Sequence, residues 1–266
     1  MDLERPSRAA IRQWGKLLIG KYRRRERMFL AEGRKVVDEL LTSPWGEAAS
    51  LLCEEGKERE WGDFSGAPGK REHRSTTAYL LTREEWRRLS QDRESEGIMA
   101  VVRMEKQPEW QEILHRDTGD ILMLDRINNP SNLGAMMRSA HWFGFSSVFL
   151  SADTADWTHP KTVRASMGSL FHLDIVAGLD FRILLPLVGS RCLLVGSDVR
   201  TGIPPRPTGR RTALLLGSES HGLPEGFLKQ TAETWCIPGA GGAESLSVAQ
   251  AAAIMMYEIH RGRSRT

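Results

Sequence analysis

The second half of the chain alternates between short apolar runs and segments with helical spacing. The apolar runs predict strands at 121–124, 147–150, 171–176, 192–195, 213–216 and 234–237. Most of them are continuous rather than alternating, which is typical of strands covered on both faces. The segments between them predict helices at 131–143, 161–168, 181–188 and 225–230, and a last helix at 245–261. This order predicts an α/β fold with a parallel sheet and right-handed crossovers.

The first half contains a smaller set of the same kinds of element. Apolar residues at Ile11, Trp14, Leu17 and Leu18 predict a helix over 7–20, and the charged stretch 21–27 breaks that pattern. Further helices are predicted at 33–41 and 83–90, and strands at 28–31, 48–53, 77–81 and 98–104. The charged, glycine-rich stretch 54–75 predicts a loop. We therefore expect a small α/β domain at 1–105, a linker at 106–118 and a larger domain at 119–266.

Composition limits the class of protein. A chain of 266 residues is long enough for two cores, and its hydrophobic and charged fractions of 40% and 27% suit a soluble globular protein. The apolar runs are too short to span a membrane, and the first 20 residues lack a signal-peptide core. Cys53, Cys192 and Cys236 match no metal or disulfide spacing. They indicate reduced thiols in a cytoplasmic protein.

Positive charge is concentrated near the beginning of the chain. Residues 5–35 contain eleven Lys and Arg against two Glu, a net of +9, whereas the whole chain carries +3. Trp14, Tyr22 and Phe29 lie among these charges. A surface that contacts phosphates and an ordinary solvated helix face both fit this pattern.

Three segments of the second half carry groups suited to chemistry. The first, DRINNPSNLGAMMR at 125–138, follows a strand and opens a helix, whose N-terminus favours anions. A parallel sheet forms a ligand crevice at the carboxyl ends of its strands. Asn132 and Arg138 can both face that crevice only if Asn132 lies in the loop or in the first turn of the helix. A helix cap and a surface arginine are the structural alternative for these two residues.

The other two segments are rich in glycine. In GSESHG at 217–222, Glu219 lies where a hydrolase elbow would have serine, so a serine hydrolase has little support. The third, PGAGGAESLS at 238–247, permits close backbone approach to a ligand. The chain has neither the dinucleotide-binding fingerprint nor the P-loop spacing. A structural role for Ser245 would be to cap the last helix.

Together these segments resemble the SpoU/TrmH family of RNA ribose 2′-O-methyltransferases, within the SPOUT class. The similarity is carried by LDRINNPSNLGAMMRSAHWFGF, KTVRASMGSLFHL, LLLGSESHGL and IPGAGGAESLSVAQAAAIMMYE, in that order, over residues 119–262. The stretch KYRRRERMFLAEGRKVVDELL is similar to the ribosomal-protein-like substrate-binding domain that often precedes this catalytic domain.

The resemblance implies a parallel sheet with a deep trefoil knot that holds S-adenosyl-L-methionine, and a homodimer whose sites are completed across the interface. By position, Gly217, Ile237 and Leu246 match the cofactor contacts, and Ser197 borders the adenosine. Asn132, Arg138, Glu219 and Ser245 match the polar positions of the active site. The implied reaction is methyl transfer to a ribose 2′-hydroxyl in RNA, with rRNA favoured over tRNA and no metal required.

One position departs from the family pattern. The third motif usually reads Ser-Leu-Asn, and this chain has Ser245, Leu246 and Ser247. Serine is shorter than asparagine and lacks the two amide donors. Ser247 therefore keeps one alternative open, a catalytically impaired RNA-binding protein on the same scaffold. The resemblance leaves a further one, a base methyltransferase on the same knot, since knotted relatives modify guanine nitrogens, although the first motif argues against it.

Overall fold

A computed structural model describes residues 3–43, 45, 48–60, 76–92, 94–116 and 119–263. The chain divides into two compact units. The first unit comprises Met1–Lys106 and Asp156–His172, and the second comprises Gln107–Ala155 and Leu173–Thr266. A segment from the second half of the sequence thus belongs to the first unit.

The first unit is built on a mixed five-stranded sheet in the order β1-β4-β3-β5-β2. Its strands are β1 Leu3–Glu4, β2 Met28–Glu32, β3 Ala48–Glu54, β4 Thr77–Leu81 and β5 Ile98–Arg103. Its helices are α1 Arg8–Lys16, α2 Gly20–Glu26, α3 Arg34–Thr42 and α4 Arg83–Arg87. Strand β5 is antiparallel to β2 and β3, whereas β4 is parallel to β1 and β3. The four strands predicted here are confirmed, and most of the loop predicted at 54–75 lies outside the described residues.

The predicted helix at 7–20 is wrong in extent, because two helices occupy this region. Ser7 caps α1 by accepting a hydrogen bond from the Ala10 N–H, and Ile19 is extended, with φ −103° and ψ 123°, before α2 begins. The stretch 21–27 lacks apolar periodicity because the buried residue of α2 is Arg23. Helical spacing therefore gave no signal for α2.

The second unit contains a six-stranded sheet in the order β11-β9-β10-β6-β7-β8, and every pairing is parallel. The strands are β6 Asp120–Leu124, β7 Phe145–Ser151, β8 Asp174–Leu179, β9 Leu193–Ser197, β10 Thr212–Leu216 and β11 Glu233–Trp235. Every residue of β6 and β10 is buried, as their continuous apolar runs predict. The predicted parallel α/β fold is confirmed.

The structure also describes helices in the second unit and a further short helix in the first. They are α5 Trp110–His115, α6 Pro130–Trp142, α8 Phe181–Gly189, α9 Glu225–Leu228 and α10 Val248–Arg261 in the second unit, and α7 Pro160–Ala165 in the first. Helix α5 lies in the stretch assigned to a linker, and its Ile113 and Leu114 are buried in the core of the second unit. No described helix is long and apolar enough to cross a bilayer.

The segment 156–172, which connects β7 to β8, completes the core of the first unit. The rings of Trp157 and Phe171 pack with Phe29 and Trp45, with centroid separations of 5.6–6.3 Å. Phe171 lies in a 3-10 turn and β8 begins at Asp174, so the strand predicted at 171–176 starts too early. Phe171 is apolar because it packs in this aromatic cluster.

A buried ion pair anchors the same segment. The Arg23 side chain is 2% exposed, and its Nη2 lies 2.7 Å from Asp156 Oδ2. Its other N–H groups donate to Thr158 Oγ1 and to the carbonyl oxygens of Leu17 and Leu18. Burial raises the pKa of Asp156, but hydrogen bonds from Thr158 and Arg23 outweigh burial, and the net pKa lies below its ordinary value.

We predict that Asp156→Ala lowers the free energy of unfolding by about 3–5 kcal/mol, because it leaves the buried Arg23 guanidinium without its counter-charge. Chemical denaturation near neutral pH measures this change. The matched control is Glu84→Ala, since the Glu84–Arg88 pair is 80% and 63% exposed and is worth roughly 1 kcal/mol or less. The Asp156 contribution should also disappear in acid, as the pH falls through its depressed pKa. If both variants lose the same free energy of unfolding, the Arg23–Asp156 pair does not anchor segment 156–172.

Candidate active site

The carboxyl ends of four neighbouring strands meet at one edge of the second unit. Strand β10 lies between β6 and β9, and β11 lies on the far side of β9. Because all pairings are parallel, the loops after these strands start from the same edge. Loop 125–129, loop 217–222 and segment 237–246 all start here, and so does the turn after Ser197.

Loop 217–222 is closed on itself immediately after β10. The Gly222 N–H donates to the Ser218 carbonyl at 2.8 Å, and Gly222 has a φ of +63°. A Cβ on Gly217 would lie 2.3 Å from the Gly222 carbonyl carbon and 2.5 Å from the Leu223 nitrogen. Only glycine permits this close backbone approach. The closed loop leaves Gly217 buried at its base and Glu219 exposed at its tip.

Contacts from loop 125–129 hold the two loops together. The Asp125 N–H donates to the Leu216 carbonyl at 2.8 Å. The Arg126 guanidinium donates to Asp125 Oδ2 at 2.8 Å and to the Gly222 carbonyl at 3.3 Å. Arg126 has a φ of +54°, which is uncommon for a residue with a side chain. This role of Arg126 is not visible in the sequence, because nothing there marks a non-glycine residue for a left-handed backbone.

Asn132 lies in the first turn of α6 and contacts Glu219. The helix starts at Pro130, and Asn129 caps it by accepting a hydrogen bond from the Ser131 N–H at 2.9 Å. The Asn132 amide nitrogen donates to a carboxylate oxygen of Glu219, which lies 87 residues further along the chain. Two of the polar residues singled out from the sequence are therefore direct partners.

Arg138 makes no hydrogen bond or ion pair with Asn132 or Glu219 within one chain. It lies six residues after Asn132, which places it about 120° around the helix. Its side chain is exposed and makes no hydrogen bond or ion pair with any residue that the structure describes. Its guanidinium is thus available to a ligand or to another chain.

Segment 237–246 presents unused backbone groups. Within the described part of the chain, no hydrogen bond joins its N–H or carbonyl groups to other residues. Ile237 is half-buried, and Leu246 is 47% exposed. Ser245 is exposed, and its hydroxyl has no partner among the described residues. Free backbone donors and acceptors beside apolar side chains suit a flat heterocycle with polar edges.

The last helix begins later than the sequence predicts, and Ser247 rather than Ser245 caps it. The Gln250 N–H donates to Ser247 Oγ at 3.3 Å, and the Ser247 N–H donates to the Gln250 side-chain oxygen at 3.3 Å. This reciprocal capping box makes α10 begin at Val248 and leaves Ser245 outside the helix. The prediction of a helix from 245 missed the signature at Ser247 and Gln250.

The described residues at the carboxyl edge offer side chains and backbone groups that can orient a ligand. Among the described residues, His, Cys, Asp and Glu form no group of three or more that could hold a metal ion. Asn132, Glu219 and the unpaired backbone groups of segment 237–246 are among the polar groups of the carboxyl edge. Such a set can position a polar substrate beside a bound heterocycle.

Comparison with known proteins identifies the family. The model of the SpoU rRNA methylase family matches residues 120–257, and the model of the MRM3-like substrate binding domain matches residues 8–100. The chain belongs to the SpoU rRNA methylase family. The resemblance inferred from the sequence is confirmed, and the family match runs from the first residue of β6 to the last turns of α10.

One relative in this family is similar over nearly the whole chain, and another over about half of it. The 23S rRNA (guanosine(2553)-2′-O)-methyltransferase RlmP of Bacillus subtilis is 30% identical over 260 residues, which cover 97% of this chain and 98% of the relative. The 23S rRNA (uridine(2479)-2′-O)-methyltransferase of Streptomyces viridochromogenes is 33% identical over 150 residues, or 53% of this chain and 52% of the relative.

Solved structures of the family share the fold. The SpoU methyltransferase AviRb of Streptomyces viridochromogenes, crystallised in complex with the cofactor AdoMet, has a TM-score of 0.81 and 28% identity. The match covers 97% of this chain and 99% of that one. All eight site residues expected from the sequence, Ser197 included, lie in the part of the chain that the family model matches.

Proposed function

We propose that the chain is an S-adenosyl-L-methionine-dependent RNA methyltransferase that modifies a ribose 2′-hydroxyl, in rRNA rather than tRNA. Family membership supports the reaction class, and the relatives named as 23S rRNA 2′-O-methyltransferases support the substrate class. The observation that carries the proposal is the hydrogen bond from Asn132 to Glu219 beside the closed loop 217–222. It puts polar groups where the carboxyl edge receives ligands.

The carboxyl edge fits the methyl donor. Ile237 and Leu246 would hold it, because they begin and end the segment with free backbone groups, and Gly217 would contribute from the base of loop 217–222 at the same edge. Adenine offers ring nitrogens and an amino group that such backbone groups can pair with, and Leu246 offers apolar contact with its face. When bound, S-adenosyl-L-methionine supplies an electrophilic methyl group on a sulfonium sulfur.

The trefoil knot of the SPOUT class is part of the proposal. Strand β11 lies at the outer position of the sheet, beyond β9. Helix α10, which follows it, packs on α6 and β10 nearer the centre of the sheet. The chain between them, which includes segment 237–246, therefore returns across the carboxyl ends of β9 and β10. This return path supports a knotted cofactor pocket.

The remaining polar residues would act on the RNA. Arg138 would bind the reacting ribose and its neighbouring phosphate, since a guanidinium pairs well with phosphate oxygens. Asn132 and Glu219 would orient Arg138 or the RNA backbone, and Ser245 would contribute its free hydroxyl. Holding the reacting groups in line can lower the barrier by roughly 7–11 kcal/mol. The 2′-hydroxyl is the group that distinguishes RNA from DNA.

A homodimer through α6 and α10 completes the proposal. These helices pack together and expose apolar side chains, including Trp142 at 81%, Tyr257 at 48% and Ile254 at 40%. Exposed apolar patches of this kind mark interaction sites. Arg138 lies on α6, one turn before Trp142, and makes no hydrogen bond or ion pair with a described residue of its own chain. A second copy on this face would bring Arg138 next to a partner's carboxyl edge.

The alternative, an impaired RNA-binding protein, rests on Ser247. The structure gives this serine a capping role, and serine and asparagine are similarly good helix caps. The substitution therefore keeps the start of α10, and with it the position of segment 237–246. This observation favours an active enzyme over the alternative.

We predict that Arg138→Ala lowers the rate of methyl transfer to RNA by about 10²-fold or more, since it removes a charged group from the transition state. Transfer of labelled methyl groups from S-adenosyl-L-methionine to purified ribosomal RNA measures the rate. The control is Arg191→Ala, an exposed arginine just before β9, at the opposite edge of the sheet. A wild-type protein that transfers no methyl group and does not bind the methyl donor in calorimetry would instead favour the impaired alternative.

For the dimer, we predict that Trp142→Glu raises the dissociation constant of the homodimer by about 30-fold or more, as expected for an interface hot spot. Sedimentation velocity at several protein concentrations measures the equilibrium. Ile183→Glu on α8 is the control, because Ile183 is 67% exposed on another helix of the same unit. A wild-type protein that is monomeric at micromolar concentration contradicts the proposed interface.

A further inference from the structure

A cleft lies between the first two helices of the first unit. It encloses about 400 Å³ and is lined by Ala9, Arg12, Gln13, Lys16, Arg25 and Glu26. We call it the basic cleft, because three of its side chains are cations and one is an acid. All its residues lie within α1 and α2, so the cleft is complete in this one unit.

The cations in and around the basic cleft are poorly compensated. Within the described residues, Arg8, Arg12, Lys21 and Arg24 make no side-chain hydrogen bond or ion pair. Arg25 is the exception in the cleft, since its Nε donates to Glu26 Oε1 at 2.8 Å. Elsewhere in the first unit, Arg5, Arg23, Arg88 and Arg164 each pair with a carboxylate. Arg8 and Arg12 on α1 and Lys21 and Arg24 on α2 thus place four unpaired cations close together in the sequence.

The arrangement of charge opposes the stability of α1. Arg8, Arg12 and Lys16 follow one another at intervals of four residues, so they form a row along one face with about 6 Å between neighbours. Like charges at this spacing destabilise a helix, and Arg8 also lies in the first turn, where the helix dipole disfavours a cation. Helix α1 contains no acidic residue to offset either effect. A bound polyanion would remove both penalties.

Aromatic contacts orient two of these cations. The Arg25 guanidinium carbon lies 5.0 Å from the centre of the Tyr22 ring, and Lys16 Nζ lies 5.7 Å from it. Both distances are within the range of a cation–π interaction. Lys16 from α1 and Arg25 from α2 are thus held over one ring, on facing walls of the cleft.

We propose that the basic cleft binds the phosphate backbone of an RNA strand and that Glu26 competes with the RNA for Arg25. This inference rests on the proposed function, which makes RNA the substrate. Arg12, Lys16 and Arg25 contact successive phosphates, and Arg25 exchanges its carboxylate partner for a phosphate when RNA binds. RNA fits better than an acidic peptide, because the row of cations repeats at regular intervals and phosphates repeat along a strand. The match of residues 8–100 to a substrate binding domain is consistent with this location.

Because Glu26 is proposed to compete with RNA for Arg25, removing its charge should raise the affinity for RNA. Glu26→Gln removes the internal carboxylate and should tighten RNA binding, an outcome that misfolding cannot produce. Arg12→Gln should weaken binding and should reduce the slope of log affinity against log salt by about 1, because one phosphate contact is lost. Arg87→Gln is the control. Arg87 is an exposed cation on α4, in the same unit, and no described residue pairs with it.

The experiment uses the full chain and a 20-nucleotide fluorescein-labelled single-stranded RNA, with anisotropy measured from 50 to 300 mM KCl. The expected result is tighter binding for Glu26→Gln, weaker binding with a smaller slope for Arg12→Gln, and no change for Arg87→Gln. Unchanged binding in both cleft variants would overturn the proposal. Polyglutamate that binds more tightly than the RNA, with the same dependence on Arg12, would overturn it in favour of an acidic peptide.

A parallel assay of methyl transfer to ribosomal RNA separates this inference from the proposed function. If the wild-type protein methylates RNA while the cleft variants bind RNA normally, the cleft proposal fails and the proposed function stands. If the cleft variants shift RNA binding as expected while no methyl group is transferred, the cleft proposal stands and the proposed function fails.

Discussion

The parallel pairing of β6 with β10 is the constraint on which the candidate site depends. It aligns Leu124 with Leu216, so the two loops that follow begin side by side. The Asp125 N–H extends the pairing by one more hydrogen bond, to the Leu216 carbonyl. Loop closure at Gly217 and Gly222 then fixes where Glu219 projects, and α6 presents Asn132 to it. Residues that are far apart in the sequence become partners because two buried strands are neighbours.

The first unit uses the same residue type in two physically different ways. Arg23 is buried, and its guanidinium is saturated by Asp156, Thr158 and two carbonyl groups, so it holds segment 156–172 in place. Arg12, one helix earlier, is exposed and has no partner among the described residues. A buried cation without its partner would be destabilising, whereas an exposed one is available to a phosphate. Burial therefore separates structural from ligand-binding arginines within a single basic run.

The sequence predicted the second unit well because its signals are local. Continuous apolar runs marked β6 and β10, and glycine and polar residues marked the loops after them. It predicted less where packing between distant segments decides the structure. Helix α2 buries Arg23 and has no apolar face, and Phe171 is apolar because it packs against Phe29 and Trp45 rather than in a strand. Arg126 owes its role to a left-handed backbone that no pattern of residue types reveals.

The central chemical proposal is that the methyl group is transferred to a ribose 2′-hydroxyl. Alkaline hydrolysis tests it directly, because RNA cleavage in alkali requires a free 2′-hydroxyl and stops at a methylated ribose. Ribosomal RNA is incubated with the wild-type protein and S-adenosyl-L-methionine labelled in its methyl group, and the RNA is then hydrolysed to completion. The account predicts that the label is recovered in alkali-resistant dinucleotides. Label recovered in mononucleotides would show methylation of a base and would contradict it.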